Sequence, residues 1–194
     1  MSIQVPMSAP QMGADTVEQR VVRRRMSFAE FERLPEKPRH EWVDGVALIM
    51  DAAFRKHNRF VARLTAVLVE ALPDLDVLPE NSFRMSDSLR VPDITVADPD
   101  SDGEKWLVDP PILIVEVLSP STWREDLERK DKEYAQAGVG HYWTVDTEVQ
   151  MITMRINIGK RWQVERIVDK SNPDADIKLG HYGTIPIRLG QLFR

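Results

Sequence analysis

Hydrophobic and polar positions alternate along this chain with two periods, and the changes of period divide it into elements. Within residues 54–72 the apolar side chains Phe60, Val61, Leu64, Val67, Leu68 and Ala71 mostly recur three or four apart. That spacing predicts a long amphipathic helix, stopped by Pro73, whose ring cannot continue it. EWVDGVALIM, residues 41–50, instead has β-prone flanks around Asp44-Gly45, a dipeptide suited to a two-residue hairpin turn. Ser27, with Glu30 three residues on, reads as a capping box that opens a short helix through Leu34. Strands are expected near 76–83 and 91–97, followed by the acidic loop DPDSDGEK. Residues 112–119, ILIVEVLS, form an apolar run of the kind found in strands buried on both faces. A second helix is expected from about 121 to 137, closed by Gly138. Residues 141–146, 149–156 and 162–168 read as three more strands, and IPIRLGQLF as a last strand-like segment. Residues 1–20 lack periodicity and read as a flexible tail. Arg20, Arg23, Arg24 and Arg25 are either a solvated lead-in or a phosphate-binding arm. Order is expected from Ser27, giving a tail over 1–26 and one domain over 27–194. Helices among strands, with an apolar central strand, predict an α/β domain whose mixed β-sheet is covered on both sides.

One residue breaks the apolar pattern. An ionised Glu116 in a buried strand is costly unless something pairs it. Side chains alternate along a strand, so Glu116 shares a face with Ile112, Ile114 and Leu118. In VPDITVA, Pro92 can begin a strand but not sit inside a ladder, which leaves Asp93 near the strand's first residue. The acidic loop between Asp93 and Glu116 lets the two strands pair. Two such carboxylates repel each other, and Mg²⁺ or Mn²⁺ is a remedy suited to oxygen ligands. The alternative has Asp93 capping the strand end and Glu116 paired with an arginine in the core. On the following helix Trp123, Leu127, Tyr134 and Ala137 mark one face, and Lys130 falls on the same stripe. Lys132 belongs to the outer face with Glu128, Arg129 and Gln136. Asp, Glu and Lys together suit metal-assisted phosphodiester hydrolysis. Arg90 precedes the Pro-Asp step and would serve as a phosphate contact or a surface ion pair, and Glu80 is a further candidate.

Composition narrows the function classes. The chain has 194 residues, 42% hydrophobic and 29% charged, which suits a soluble globular protein with a real core. No apolar run reaches the ~20 residues of a membrane span, and a secretory signal is not expected. The absence of cysteine excludes disulfides, thiolate zinc sites and cysteine nucleophiles, and suits a cytoplasmic address. A net charge of −5 gives no support to nonspecific nucleic-acid binding without a local basic patch or metal-neutralised carboxylates. The four histidines lack HExxH spacing, and neither a phosphate-binding glycine loop nor a G-x-S-x-G elbow occurs.

The stretches EWVDG, RVPDITVADPD, PPILIVEVLSPST and ERKDKEYAQAGVGHYWTVD resemble, in that order, the Uma-two family of restriction-endonuclease-like proteins. The resemblance runs from about Ser27 to the C-terminus. It implies the PD-(D/E)XK nuclease core, a mixed sheet between helices, here with an N-terminal β-hairpin extension. It further implies Asp93 and Glu116 as metal ligands, with Lys130 on the helix replacing a lysine normally two residues after the Glu, where Leu118 stands. Glu41 and His57 match family positions in the same pocket. The expected function is Mg²⁺- or Mn²⁺-dependent hydrolysis of DNA phosphodiester bonds, with DNA as partner and a homodimer as an allowed assembly. Its rival is a lapsed nuclease-fold module that binds nucleic acid or protein. A carboxylate-pair glycosidase is a third reading, against which the inward lysine argues. In the metal-free chain the clustered carboxylates are expected to raise one another's pKa.

Overall fold

The computed structural model describes residues 21–50, 53–119 and 125–194. The tail expected over 1–20 and the start of the second predicted helix lie outside them. Order begins earlier than the sequence predicts: Val21–Arg25 is a strand, β1. Ser27 then caps α1, Phe28–Phe31, with both halves of the capping box formed. The helix stops short of the predicted Leu34. The hairpin strands β2, His40–Val43, and β3, Val46–Met50, close across Asp44 and Gly45, both at positive φ, the backbone that an Asp-Gly turn favours. β1 pairs antiparallel with β3 along its whole length. Ladder hydrogen bonds, rather than side-chain burial, order this basic segment, since Arg23, Arg24 and Arg25 stay exposed.

The predicted long helix is α2, Arg55–Ala71, which buries Phe60, Leu64 and Leu68. After it, two predicted strands each split. Residues 76–83 become β4, Asp76–Pro79, and β5, Phe83–Arg84, parted by Glu80 at φ 51°. Residues 91–97 keep only β7, Ile94–Ala97, behind a new strand β6, Ser88–Arg90. Pro92 lies between β6 and β7 and has no N–H to give a ladder. β8 is Leu113–Val117. A π-helical turn, Glu125–Lys130, leads into α3, Asp131–Ala137, which ends at Gly138 in the left-handed region. β9, His141–Asp146, β10, Met151–Asn157, and β11, Trp162–Val168, follow. A two-stranded ribbon closes the chain: β12, Asp174–Leu179, which the sequence reading did not include, pairs with β13, Gly183–Arg188, the first part of the expected last strand-like segment. The short helix α4, Leu189–Leu192, then takes the end of the last predicted strand segment.

The splits send the chain between sheets. One sheet has the order β1-β3-β2-β6-β5, the other β11-β10-β9-β8-β7-β4, and β12-β13 stands apart. β8 and β9 are parallel, which requires a crossover, and the segment carrying α3 supplies it. Both faces of the six-stranded sheet are covered. Leu113, Val115 and Val117 pack with α2 and with Ile177, Leu179, Ile185 and Ile187 of the ribbon. On the other face, Ile114 packs with Tyr134, Val139 and Tyr142. This is the mixed α/β arrangement expected of a restriction-endonuclease-like chain, with the N-terminal hairpin built into the second sheet. Among the described residues, no helix is long and apolar enough to cross a membrane.

Candidate active site

The polar cluster sits where the chain passes between the two sheets. Arg90 ends β6 in one sheet, and Asp93 immediately precedes β7 in the other. Continuing the β7–β8 register from Ile94↔Val115 by one step sets Asp93 opposite Glu116, and directly opposed residues share a sheet face. Glu116 points away from α2, as its neighbours Val115 and Val117 point toward it. Glu41 alternates with Trp42 on β2, and its burial shows that it faces inward. Glu41, Asp93, Glu116 and Lys130 are all nearly inaccessible, at 1%, 3%, 2% and 2% exposure.

Cations thread between these carboxylates. The Lys130 ammonium donates to Glu116 Oε1 at 2.9 Å and stands 3.0 Å from Glu41 Oε1. It thereby joins the strand of one sheet to the hairpin of the other. The Tyr134 hydroxyl also donates to Glu116 Oε1, at 2.9 Å; burial, and after it the Glu116 charge, pushes that phenol's pKa up. Glu41 accepts from Arg90 Nη1 at 2.8 Å and from the Val91 N–H at 3.1 Å. Asp93 Oδ1 accepts from Arg39 Nη1 at 2.6 Å, and Oδ2 accepts from the Val117 N–H at 2.7 Å. His57, in the first turn of α2, brings Nε2 to 3.1 Å from Asp93 Oδ2. Arg39 Nη2 also donates to the Val91 carbonyl.

Two expectations need correction. Arg90 is not a surface ion pair, nor is it open to a phosphate in this arrangement. It is fully buried, and besides Glu41 it grips Glu133 through Nε and Nη2 at 2.7 and 3.0 Å. Its place at the end of β6, before the Pro92 break, turns it into the core. Nor are Asp93 and Glu41 driven upward overall. Burial does push Asp93 up, but Arg39, with His57 behind it, outweighs burial and holds this carboxyl below the usual range. Glu41, likewise raised by burial, is brought down to about 2 by Lys130, Arg90 and Arg39. Burial works against the charge on Arg39, yet Asp93, Glu41 and Glu116 together raise its pKa. For His57, burial is outweighed by the bond to Asp93, so its pKa rises. Glu80, in its left-handed turn, is exposed.

Among the described residues, no three His, Asp or Glu side chains gather closely enough to form a metal cage. The donor chemistry still suits a hard divalent cation. Asp93 and Glu116 offer carboxylate oxygens from adjoining strand ends, and they are the residues that could hold one. Without metal, the pairing of Glu116 with a core cation that the sequence left open is what the chain adopts, with lysine in place of arginine. Sequence reasoning missed Arg39 and Glu133. Period-2 alternation carried back from Glu41 puts Arg39 on the same face, and Glu133 lies three after Lys130 on the inner stripe. Both signals were present in the sequence.

A family model described as "Putative restriction endonuclease", Uma2, matches residues 28–178. The chain belongs to the Uma2 family. The matched segment contains β2 and β3, α2, β7, β8 and α3, so every residue of the cluster falls inside Uma2 sequence. The fold is also that of a solved structure titled as "a putative nuclease belonging to DUF820" from Anabaena variabilis. That structure has a TM-score of 0.70 and 18% identity, covering 87% of this chain and 97% of that one. No curated protein matches this Uma2 chain.

Proposed function

We propose that this Uma2 protein is a metal-dependent endonuclease that hydrolyses phosphodiester bonds of DNA, with Asp93 and Glu116 as ligands of one Mg²⁺ or Mn²⁺. One observation carries the reading: three nearly inaccessible carboxylates and a buried lysine, drawn from four separate parts of the chain, converge inside a family described as "Putative restriction endonuclease". A buried ionic network is a poor way to gain stability, since apolar side chains of similar volume often do as well or better. A network of this size therefore argues for chemistry. When bound, the ion would polarise the scissile phosphate and acidify a water. Lys130, fixed by Glu116 and Glu41, would orient that water or take its proton and would offset charge building on the phosphate. His57 would hold Asp93 Oδ2 in place, and Glu41 would hold Lys130.

The test is cleavage of plasmid and fluorogenic oligonucleotide by pure protein in Mg²⁺, Mn²⁺ or EDTA. Cleavage is expected only with metal and should vanish in Asp93→Asn and Glu116→Gln. Cleavage that persists in EDTA, or none in any metal, overturns the proposal. A second reading, a nuclease-fold module that only binds, draws on Leu118 at the usual lysine position and on the ion pairing of both proposed ligands. DNA binding without cleavage in either metal would select it.

A further inference from the structure

We propose that the Arg39 guanidinium stands in for the divalent cation in the metal-free chain, and that metal binds Asp93 by displacing it. This deepens the proposed function and rests on the metal reading of Asp93 and Glu116. The Asp93 carboxylate has two oxygens with different commitments. Oδ2 is occupied by the Val117 N–H and His57. Oδ1 is the oxygen left for a metal, and it is the one that Arg39 covers. The same guanidinium lies 3.8 Å from Glu41 Oε1 and feels the charge of Glu116. It therefore neutralises Asp93 at the oxygen that a metal would take, with Glu41 close by.

Arg39 is also the member of the cluster built to leave. Its side chain is 20% exposed, against 0% for Arg90 and 3% for Lys130. It stands just outside β2, whereas Arg90 lies within a strand and Lys130 at the end of a helical turn. Its Nε is buried and has no hydrogen-bond partner among the described residues, so fewer contacts are lost on release than for Arg90, whose Nε, Nη1 and Nη2 are all engaged. Charge balance requires the exchange. Among the described residues, Glu41, Asp93, Glu116 and Glu133 face Arg39, Arg90 and Lys130, with Arg129 also on Glu133, so the set is already close to neutral before His57 is counted. A divalent ion added to that set leaves an uncompensated excess of positive charge in a desolvated site. Swinging Arg39 to the surface removes part of the excess, and the phosphodiester that the proposed reaction brings in removes more. Arg39 is thus a positioning residue: it covers Asp93 Oδ1 and keeps that carboxylate charged until metal arrives.

The measurement is Mn²⁺ affinity, by calorimetry and by the spin-resonance signal of free Mn²⁺, for the full wild-type chain and Arg39→Gln. If Arg39 covers Oδ1 about nine-tenths of the time, its removal tightens the apparent Kd about tenfold. An unchanged or weaker Kd for the variant overturns the inference while leaving the metal reading intact. No Mn²⁺ binding by either protein overturns both. Should Arg39→Gln fail to fold, wild type carries the test. Phenylglyoxal labelling at Arg39, mapped by peptide mass, should increase several-fold with saturating Mn²⁺, and equal or reduced labelling refutes the displacement.

Discussion

Replacing Glu116 by Gln changes one oxygen to an amide and removes one charge from the core. Mutual repulsion among carboxylates alone would make this change neutral or stabilising without metal. The arrangement reverses that sign. Glu116 Oε1 accepts from Lys130 and Tyr134, both at 2.9 Å, and the Gln carbonyl oxygen can still accept both bonds. What is lost is the charge facing Lys130, a group 2% exposed that keeps Glu41 at 3.0 Å. Breaking a buried pair outright costs about 3–5 kcal/mol. With one partner and the hydrogen bonds retained, the loss should be about 1–3 kcal/mol. For a chain of this length that corresponds to a melting temperature lowered by roughly 2–12 °C. The assay is a pair of thermal melts in EDTA, with urea midpoints as a check. A Glu116→Gln protein as stable as wild type, or more so, would show that Lys130 does not depend on Glu116, and the interleaved-charge account would fail.

Lys130→Met leaves Glu116 and Glu41 without their shared cation, so it should lose about 3–5 kcal/mol in urea unfolding, as well as the proposed cleavage; an unchanged midpoint would place the ammonium outside the network. Gly45→Ala adds a methyl group that meets nothing within 4 Å, but at φ 78°, so pure backbone strain should cost about 1 kcal/mol, read as a shift in the urea midpoint. Burial raises the Asp131 pKa despite Arg155 and Lys132. A carboxyl raised in the folded state withdraws stability as pH climbs through its ordinary value and above, so Asp131→Asn should be stabilising at pH 7 and indistinguishable from wild type near pH 3; the opposite pH trend in paired melts would refute this.

The elements that sequence predicted well are those with a sustained period or a specific turn. α2 follows from six apolar positions on one face, the β2–β3 hairpin from Asp44-Gly45, and the buried strand from the run around Glu116. What the sequence did not reveal was where strands change partners. β4 to β5 and β6 to β7 are nearly continuous in sequence, yet each passes from one sheet to the other, at Glu80 and at Pro92. Pairing is a long-range choice, and local propensity carries no record of it. The same limit applied to the site. Asp93, Glu116 and Lys130 could be named from alternation and helical stripes, because each rule acts within one element. The same rules put Arg39 and Glu133 on inward faces, but which carboxylate or cation each meets is settled by contacts made across elements. The unpredicted strand β12 is a different case: Ala175, Ile177 and Leu179 do alternate in it, a three-residue signal too short to stand out from coil.

Leu118 follows Glu116 by two, on the same strand face, and from there a lysine could approach the carboxylate along β8 alone. Lys130 approaches from the helical side and reaches Glu116 and Glu41 together. A lysine on β8 would bear on chemistry with little effect on how the sheets dock. Lys130 instead bridges β8 of the six-stranded sheet and β2 of the five-stranded one, so the proposed catalytic ammonium is also part of what holds the two sheets in register. The two roles share one geometry. Any change that lets the hairpin sheet drift moves Glu41 from Lys130, and Lys130 from Glu116. In this chain, then, stability and the proposed activity should fall together when the interface between the sheets is loosened, even by substitutions that touch none of the charged residues.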